Sequence, residues 1–342
     1  MTSVLSVGFP LAPVTADPAG GAEQVLAQLD RALVAAGHRS LVIAPDGSVV
    51  AGELRPVPAV AGSITDAERE RVQAATRAAI GAVLARERVD VVHLHGLDFA
   101  RYLPPDGPPV AVTLHLPLDW YPAGALTPAR GGVHLVPVSA DQAARAPDGV
   151  ALLPPIANGV DCDWYRPGAE PGDHALVIGR VAPEKGFHDA LAAARAADVP
   201  LVAAGQVFPY PDHQRYFAER VAPLLDDRRR FVGPVAGEEK RRLLAGARAV
   251  LIPSTAPETS SLVAMEALAS GTPVIAYRSG ALPGIVEHGV TGLLVDDVAG
   301  MAAALGGIGK IERSMCRAAA LARFDVRVTA RAYLDLYRKL SR

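Results

Sequence analysis

The sequence predicts an α/β protein built from two doubly wound domains in tandem. Short apolar runs alternate with amphipathic stretches, most runs are apolar throughout, and the alternation restarts after a segment rich in Pro, Gly and Asp at 154–173. Strands that are apolar on both faces and alternate with helices are typical of a parallel sheet covered on both sides. At 342 residues the chain is also long enough for two domains.

The first half of the chain contains six predicted strands and two predicted helices. The strands cover 4–8, 40–44, 89–94, 110–115, 133–138 and 150–153, and the helices cover 22–36 and 65–88. The first helix has apolar residues at helical spacing and a glycine, Gly37, just after it. Thr65 and Glu68 have the spacing of a capping box at the start of the second helix. We place the first domain at 1–160.

The second half repeats the pattern and forms the second predicted domain, 170–326. Its strands cover 176–179, 201–204, 250–253, 274–276 and 293–295, and its helices cover 187–197, 213–226, 238–247, 262–269 and 298–305. A further amphipathic helix is predicted at 327–340. Two such domains are expected to place a cleft at the carboxyl ends of their sheets, where ligands bind in doubly wound folds.

Composition excludes several classes of protein. The net charge is −2 and only 5% of residues are aromatic, which argues against a nucleic-acid partner. The two cysteines, Cys162 and Cys316, do not form a disulfide framework. The first basic residue is Arg31 and no apolar run reaches the ~18 residues of a membrane span, so we expect a cytoplasmic protein without a membrane segment. The basic runs at 228–230 and 240–242 are expected to be solvated helix faces.

Two short motifs are weak candidates for metal binding. Asp161 and Asp163 have the spacing of an Asp-x-Asp site, but they lie in the Gly/Pro-rich segment, where such residues usually form turns. His93 and His95 point to one face of a strand end, without a third ligand in view. We therefore predict no metal site. Neither G-x-G-x-x-G after a strand nor a Walker A loop is present, which disfavours a nicotinamide enzyme or a P-loop ATPase.

A pair of glutamates flanks the start of a predicted helix in the second domain. Glu258 stands just before Thr259, Ser260 and Ser261, which are good N-cap residues, and Glu266 lies about two turns into the helix on the same side. A helix N-terminus favours phosphate, so one ligand could touch both acids and the helix start. The alternative is that these two glutamates bind no ligand, one capping the helix and the other lying on the surface.

A glycine and two cations follow the first strand of the second domain. Gly179 allows a close backbone turn, Arg180 can donate to two phosphate oxygens, and Lys185 supplies a point charge. A diphosphate leaving group needs such neutralisation when no metal is present. The alternative for Lys185 is a surface ion pair with Glu184.

Two further signals fall in the first domain. Gly20 and Gly21 close a loop and open a helix, so their amides could face phosphate. His115 stands at a strand end, where it could bond a sugar hydroxyl or partner the reacting centre. Each has a common alternative, which is an ordinary turn for the glycines and a core histidine for His115.

Together these segments resemble the retaining family-4 (group 1) glycosyltransferases of GT-B fold, over nearly the whole chain. The matching runs are G-G-A-E at 20–23, V-T-L-H at 112–115, N-G-V-D at 158–161, G-R-V-A-P-E-K-G at 179–186, P-E-T-S-S-L-V-A-M-E at 257–266 and V-E-H-G-V-T-G-L-L-V at 286–295. The chain departs from the family at 259–261, which is often Gly-Phe-Gly, and at Gly284, which is often Glu.

The resemblance implies a role for each matching residue. Glu258 would bind hydroxyls of the donor sugar, Glu266 the ribose and His115 the transferred sugar, while Arg180 and Lys185 would hold the diphosphate. The residues implied in donor binding are Gly20, Gly21, Gly179, Ser260, Ser261, Leu262, Val263 and Glu266. It also implies that the nucleotide diphosphate sugar is a substrate, with no cofactor, and that helix 327–342 crosses back to the first domain.

The resemblance further implies a retaining, metal-independent transfer from a donor such as a UDP or dTDP sugar. The short first domain is similar to that of actinobacterial members of antibiotic pathways, so a small-molecule or oligosaccharide acceptor in secondary metabolism is expected. Three alternatives stay open at this point. They are transfer to a lipid or cell-surface glycan, epimerisation of a nucleotide sugar by the same fold, and solute binding without turnover.

Overall fold

A computed structural model describes residues 1–15, 20–60, 64–168 and 172–342. The chain divides into two compact units. The first unit consists of Met1–Asn158 together with Arg327–Arg342, and the second unit is Gly159–Val326. The chain therefore leaves the first unit, completes the second, and returns to the first.

The first unit contains a six-stranded parallel sheet. Its strands are β1 (Ser3–Val7), β2 (Arg39–Pro45), β3 (Glu53–Val57), β4 (Val91–Leu94), β5 (Val110–Leu114) and β6 (Val133–Pro137), in the order β3-β2-β1-β4-β5-β6. Three helices lie between these strands or after them, α1 (Gly21–Ala35), α2 (Asp66–Arg86) and α3 (Ala140–Ala144). Every residue of β1, β4 and β5 is buried, as expected for strands that helices cover on both faces. Because these three strands are parallel, the residues that follow them share one edge of the sheet.

The second unit contains another six-stranded sheet. Its strands are β7 (Ala175–Ile178), β8 (Leu201–Ala204), β9 (Arg229–Gly233), β10 (Ala249–Ile252), β11 (Val274–Tyr277) and β12 (Gly292–Val295). Its helices are α4 (Phe187–Ala196), α5 (Pro211–Tyr216), α6 (Gly237–Gly246), α7 (Leu262–Ala269), α8 (Leu282–Ile285), α9 (Val298–Gly307) and α10 (Arg313–Arg323). The strands lie in the order β12-β11-β10-β7-β8-β9, so the chain adds strands on one side of β7 first and then on the other side, starting with β10. Ligands of doubly wound sheets bind at such a switch point.

The last helix, α11 (Val326–Leu340), returns to the first unit. Tyr333 and Tyr337 are almost fully buried in a cluster with Val4 and Val91. Tyr337 Oη lies 2.7 Å from His93 Nδ1, so the helix is tied to the sheet by polar as well as apolar contacts.

The structure corrects three sequence expectations. Residues 150–153 are not a strand, because only Leu152 bridges β6 and Pro154 and Pro155 follow without backbone donors. The expected helix at 213–226 is instead α5, a π-helical turn over Phe217–Val221 and a 3₁₀ turn over Ala222–Leu224. The run 228–230 is not a helix face, since it leads into β9.

Five of these elements were not predicted, the strands β3 and β9 and the helices α3, α8 and α10. The two strands form edges of their sheets and carry charged residues, and β3 also contains Pro56, which a sheet edge tolerates. Arg229 of β9 is 8% exposed and pairs with Asp226 at 2.6 Å. Within the described part of the chain, no helix has the length and hydropathy needed to cross a membrane.

Candidate active site

Two loops of the second unit meet at the switch point between β7 and β10. Gly179 has a φ of 151° and Gly186 a φ of 65°, values that favour glycine. A Cβ on Gly186 would lie 2.2 Å from the carbonyl oxygen of Pro253. The backbone N–H of Thr255 donates to the Glu184 carbonyl at 2.9 Å. The loop 179–186 is therefore packed directly against the loop that follows β10.

Lys185 and Glu258 form an ion pair where these loops meet. The lysine Nζ lies 2.6 Å from Glu258 Oε1, and Ser254 Oγ donates to the same carboxylate oxygen. Only 10% of the Glu258 side chain is exposed, against 30% for Lys185. The alternative pairing of Lys185 with Glu184 is wrong, since Glu184 pairs with Arg180 at 2.9 Å.

The backbone around Glu258 is held from the other side by the turn after β11. Gly280 has a φ of 56°, and a Cβ there would lie 2.2 Å from the Glu258 carbonyl oxygen. Ala281 N–H donates to that oxygen at 2.7 Å, and Ser279 Oγ donates to the carbonyl of Ala256 at 3.0 Å. The glutamate therefore sits on a backbone that two neighbouring loops fix in place.

Helix α7 begins directly after this segment. Ser261 is its N-cap, and Ser261 Oγ accepts the N–H of Ala264 at 3.4 Å. The amides of Leu262 and Val263 lie in the first turn, where helices leave N–H groups for caps, water or ligands. The N-terminal dipole makes this turn a favourable place for an anion. Ser260 precedes the cap, and its Oγ is buried without a hydrogen-bond partner among the described residues.

Glu266 lies inside the second unit, fully buried on α7. Its Oε1 is 2.8 Å from Nζ of Lys240, a residue of α6 that also lies over the ring of Tyr165. The expectation that 240–242 is only a solvated face is wrong for Lys240, whose side chain is 15% exposed. Glu258 and Glu266 are both shielded from solvent, so the alternative of a surface acid is also wrong.

The first-unit candidates are His115, Gly20 and Gly21. His115 follows β5, and its Nε2 lies 3.0 Å from Nδ1 of His95. Burial lowers the pKa of His115 to about 3, so the ring is neutral at physiological pH. Gly20 is the N-cap of α1 and Gly21 its first residue, while the preceding residues 16–19 lie outside the described ranges. Burial raises the pKa of Glu23 in the first turn of α1.

The Asp-x-Asp motif forms a turn. Asp161 Oδ1 accepts the backbone N–H groups of Asp163 and Trp164 at 3.0 and 2.9 Å. Over the ranges that the structure describes, no three or more His, Cys, Asp or Glu side chains are grouped as a metal site.

The structure brings together, in the second unit, Gly179, Arg180, Lys185, Glu258, Ser260, Ser261, Leu262, Val263 and Glu266 on and around the loops after β7 and β10. Sequence reasoning missed Ser254 and Lys240, which hold the two glutamates. Neither belongs to a motif, and Lys240 is 26 positions from its partner. Only the unusual scarcity of lysine, four in the chain, could have singled out Lys240.

Comparison with known families matches both halves of the chain. Residues 19–164 match the family described as "Glycosyltransferase Family 4", and residues 172–308 match "Glycosyl transferases group 1". A phosphatidyl-myo-inositol mannosyltransferase of Mycolicibacterium smegmatis is 30% identical over 92% of this chain and 87% of its own. The chain belongs to the group 1, family 4 glycosyltransferases.

Matches to other relatives span a smaller share of the relative's length. A D-inositol 3-phosphate glycosyltransferase of Saccharomonospora viridis is 34% identical over 59% of this chain. That match spans about half of the relative, 54%. The names of these two relatives concern inositol compounds rather than antibiotics.

Solved structures confirm the GT-B fold. AviGT4, a glycosyltransferase involved in avilamycin A biosynthesis, has 27% identity and a TM-score of 0.74, covering 100% of this chain and 98% of its own. Anabaena HepE, solved with UDP-glucose, has 19% identity and a TM-score of 0.76 over 99% of this chain and 100% of its own, and shows the fold alone. Among the actinobacterial members of antibiotic pathways that the sequence resembles, we expect the likeness to be greatest to the avilamycin (orthosomycin) enzyme, and AviGT4 is a structural neighbour. The antibiotic role itself stays a prediction.

Proposed function

We propose that the protein transfers a sugar from a nucleoside diphosphate sugar to a hydroxyl group of its acceptor, with retention and without a metal ion. The observation that carries the proposal is the convergence of the Lys185–Glu258 pair and the start of α7 at the β7/β10 switch point. It places a cation, a carboxylate and helix amides on adjoining loops, which matches a ligand with sugar hydroxyls and a diphosphate.

Each part of the site has a separate task in this proposal. Glu258 accepts hydrogen bonds from the donor sugar, and Glu266 from the ribose. Arg180, Lys185 and the first-turn amides of α7 stabilise the negative charge that develops on the diphosphate as it leaves. His115 contributes a hydrogen bond to the transferred sugar.

The reaction breaks the bond between the anomeric carbon and the β-phosphate oxygen through an oxocarbenium-like transition state. The acceptor oxygen bonds to the anomeric carbon on the face that the diphosphate leaves, and the departing phosphate takes the acceptor proton. No protein nucleophile is invoked. The leaving diphosphate itself acts as the base toward the acceptor hydroxyl, which requires the cations to hold the diphosphate in place.

The acceptor is proposed to be a small polyhydroxylated molecule or an oligosaccharide. The name of the D-inositol 3-phosphate glycosyltransferase supports a cyclic polyol phosphate, and AviGT4 supports an antibiotic intermediate. The name of the phosphatidyl-myo-inositol mannosyltransferase supports the alternative of a lipid acceptor. UDP is the first donor nucleotide to test because the HepE structure contains it, and dTDP is the second. A cytoplasmic location is part of the same proposal.

The test measures thermal stabilisation of the purified protein by UDP, dTDP, GDP and ADP with EDTA present. A nucleotide that binds only the folded state raises the melting temperature by mass action. We expect a shift with one nucleotide, and loss of most of it in Lys185→Ala. The matching nucleotide sugars are then incubated with myo-inositol and inositol phosphate, and NMR gives the anomeric configuration of the product. No shift with any nucleotide would refute the proposal, and a free altered sugar would indicate an epimerase.

A further inference from the structure

His95 is a buried histidine that the proposed transfer does not use. His95 directly follows β4, and only 2% of its surface is exposed. Its backbone N–H donates a hydrogen bond to the carbonyl oxygen of Val7 at 3.0 Å. Its ring neighbours are two other histidines. The ring centroid of His93 is 4.0 Å away and that of His115 is 5.3 Å away. In the described part of the chain these three rings are not arranged as a group of three metal ligands.

The contact between His95 and His115 joins two neutral rings. Burial lowers the pKa of both, so one ring nitrogen must donate and the other accept across the 3.0 Å between His95 Nδ1 and His115 Nε2. The direction of this hydrogen bond decides the tautomer of both rings.

The other nitrogen of His95 decides the direction. His95 Nε2 is buried and has no hydrogen-bond partner within the described part of the chain. A proton there would be a buried donor without an acceptor, which proteins avoid more strictly than an unsatisfied acceptor. The proton of His95 is therefore on Nδ1 and is donated to His115 Nε2. His115 in turn carries its own proton on Nδ1.

A second group of contacts keeps the ring of His95 in place. His93 Nδ1 lies 2.7 Å from Tyr337 Oη, and His93 Nε2 lies 2.7 Å from Thr113 Oγ1. Thr113 Oγ1 is also 2.7 Å from Tyr333 Oη. Both tyrosines belong to α11. The returning helix thus fixes His93, whose ring packs against His95.

We propose that His95 is a positioning residue that holds His115 as a neutral Nδ1–H donor for the sugar-transfer site. His115 then donates a hydrogen bond to a substrate oxygen and does not act as a base toward the acceptor. This inference rests on the proposed function for the role of His115, but the tautomer itself depends only on the first unit.

Two variants of similar size separate positioning from packing. In His95→Asn the amide can donate from about the place of Nδ1, whereas His95→Leu cannot donate. We expect His95→Leu to lower kcat about 100-fold, the scale of a misplaced catalytic group, with the donor KM nearly unchanged. His95→Asn should recover most of that loss. Equal activity of the Leu variant and the wild type would overturn the proposal, as would equal loss in both variants.

The tautomer is read without any activity, by long-range ¹H–¹⁵N NMR of ¹⁵N-histidine protein. The His115 signals are assigned by their absence in His115→Gln. We expect a protonated Nδ1 and an unprotonated Nε2 in the wild type, and loss of this single tautomer in His95→Leu. A protonated Nε2 in the wild type would overturn the inference. If the tautomer is as expected but no sugar is transferred, the proposed function has failed instead.

Folding is checked in the same samples. His134 lies on β6 outside this histidine cluster, and His134→Leu is the matched control, expected to keep kcat within about twofold because it removes no contact to His115. UDP stabilisation of the second unit should be the same in all variants. If His95→Leu does not fold, the comparison of His95→Asn with the wild type by NMR still decides the direction of the hydrogen bond.

Discussion

Lys185 and Glu258 are 73 positions apart in the chain, yet the lysine Nζ lies 2.6 Å from the glutamate Oε1. The pair joins the loop after β7 to the loop after β10. Because Ser254 donates to the same oxygen, the carboxylate is oriented before any ligand arrives. The lysine is three times as exposed as the glutamate, 30% against 10%, and so is the partner that a diphosphate can reach.

Replacing Lys185 tests the diphosphate role. Lys185→Met should reduce turnover about 10²- to 10³-fold, because one preorganised charge at the leaving group is lost. The melting temperature should change little, since partly exposed ion pairs contribute about 0–1 kcal/mol. Lys310→Met, at an exposed lysine, is the control. Steady-state kinetics and calorimetry measure both, and unchanged turnover would contradict the assignment.

The double variant Lys185→Met/Glu258→Gln tests whether the pair is only a brace between loops. If the ion pair is purely structural, the second substitution should lower the free energy of unfolding and the turnover only slightly once the first has been made. A role for each residue toward the ligand predicts that the losses in kcat/KM accumulate. We expect accumulation, measured as a double-mutant cycle with Glu258→Gln as the other single variant.

Lys240→Met should weaken nucleotide binding although Lys240 belongs to no motif. It removes the cation 2.8 Å from the fully buried Glu266. Breaking a buried ion pair from one side costs about 3–5 kcal/mol, so the melting temperature should fall by several degrees. The nucleotide Kd should rise about tenfold if one hydrogen bond of about 1.4 kcal/mol to the ribose is lost. Arg242→Met on the same helix is exposed and should change neither quantity.

Replacement by alanine should lower the stability of the protein at Ser261 and its affinity for the donor at Ser260. Ser261 caps α7, so Ser261→Ala should lower the free energy of unfolding by about 1 kcal/mol. Ser260 Oγ has no partner within the described ranges, so Ser260→Ala should leave stability within about 0.5 kcal/mol of the wild type. Donor affinity should fall in Ser260→Ala if the hydroxyl bonds the ligand. Denaturant titration and nucleotide binding separate the two effects, and a destabilised Ser260→Ala would contradict this reading.

The first unit should lose stability as the pH falls below about 6.5. Burial lowers the pKa of His93 and His115 to about 3, and that of His95 well below its usual value. Below pH 6.5 the unfolded chain therefore binds more protons than the folded unit, so the free energy of unfolding decreases with falling pH. The slope is up to about 1.4 kcal/mol per pH unit for each histidine, until pH 3 is approached.

A variant with a single tryptophan allows the pH dependence of the first unit's stability to be measured separately. Trp120 lies in the first unit and Trp164 in the second, so Trp164→Phe leaves a fluorophore that reports the first unit alone. Urea titrations between pH 7 and 5 should give the predicted decrease, and adding His93→Gln should reduce the slope by about one proton. Equal slopes with and without His93 would contradict the assignment of the effect to this cluster.

The sequence predicts best where one local cause decides the structure. The mostly apolar run at the start of the chain became β1, the wholly apolar run near residue 250 became β10, and the serine before the helix became its cap, because burial and capping act within a few residues. The strands β3 and β9 were missed since a sheet edge accepts charges and proline that a central strand does not. At the site, Lys185 and Glu258 were found separately, but their pairing was not. The packing of two loops far apart in sequence decides that pairing, and the packing of helices α6 and α7 decides the pairing of Lys240 with Glu266.

The return of α11 to the first unit has a consequence for synthesis on the ribosome. The second unit is one uninterrupted segment, so it can bury its core as soon as residue 326 has emerged. The first unit is translated earlier but finishes later, since Tyr333 and Tyr337 arrive last. Until then the apolar surface of Val4 and Val91 and the imidazole of His93 lack their final cover. A nascent chain paused before residue 333 should therefore hold a finished second unit beside an unfinished first one, which is the form that chaperones and proteases would meet.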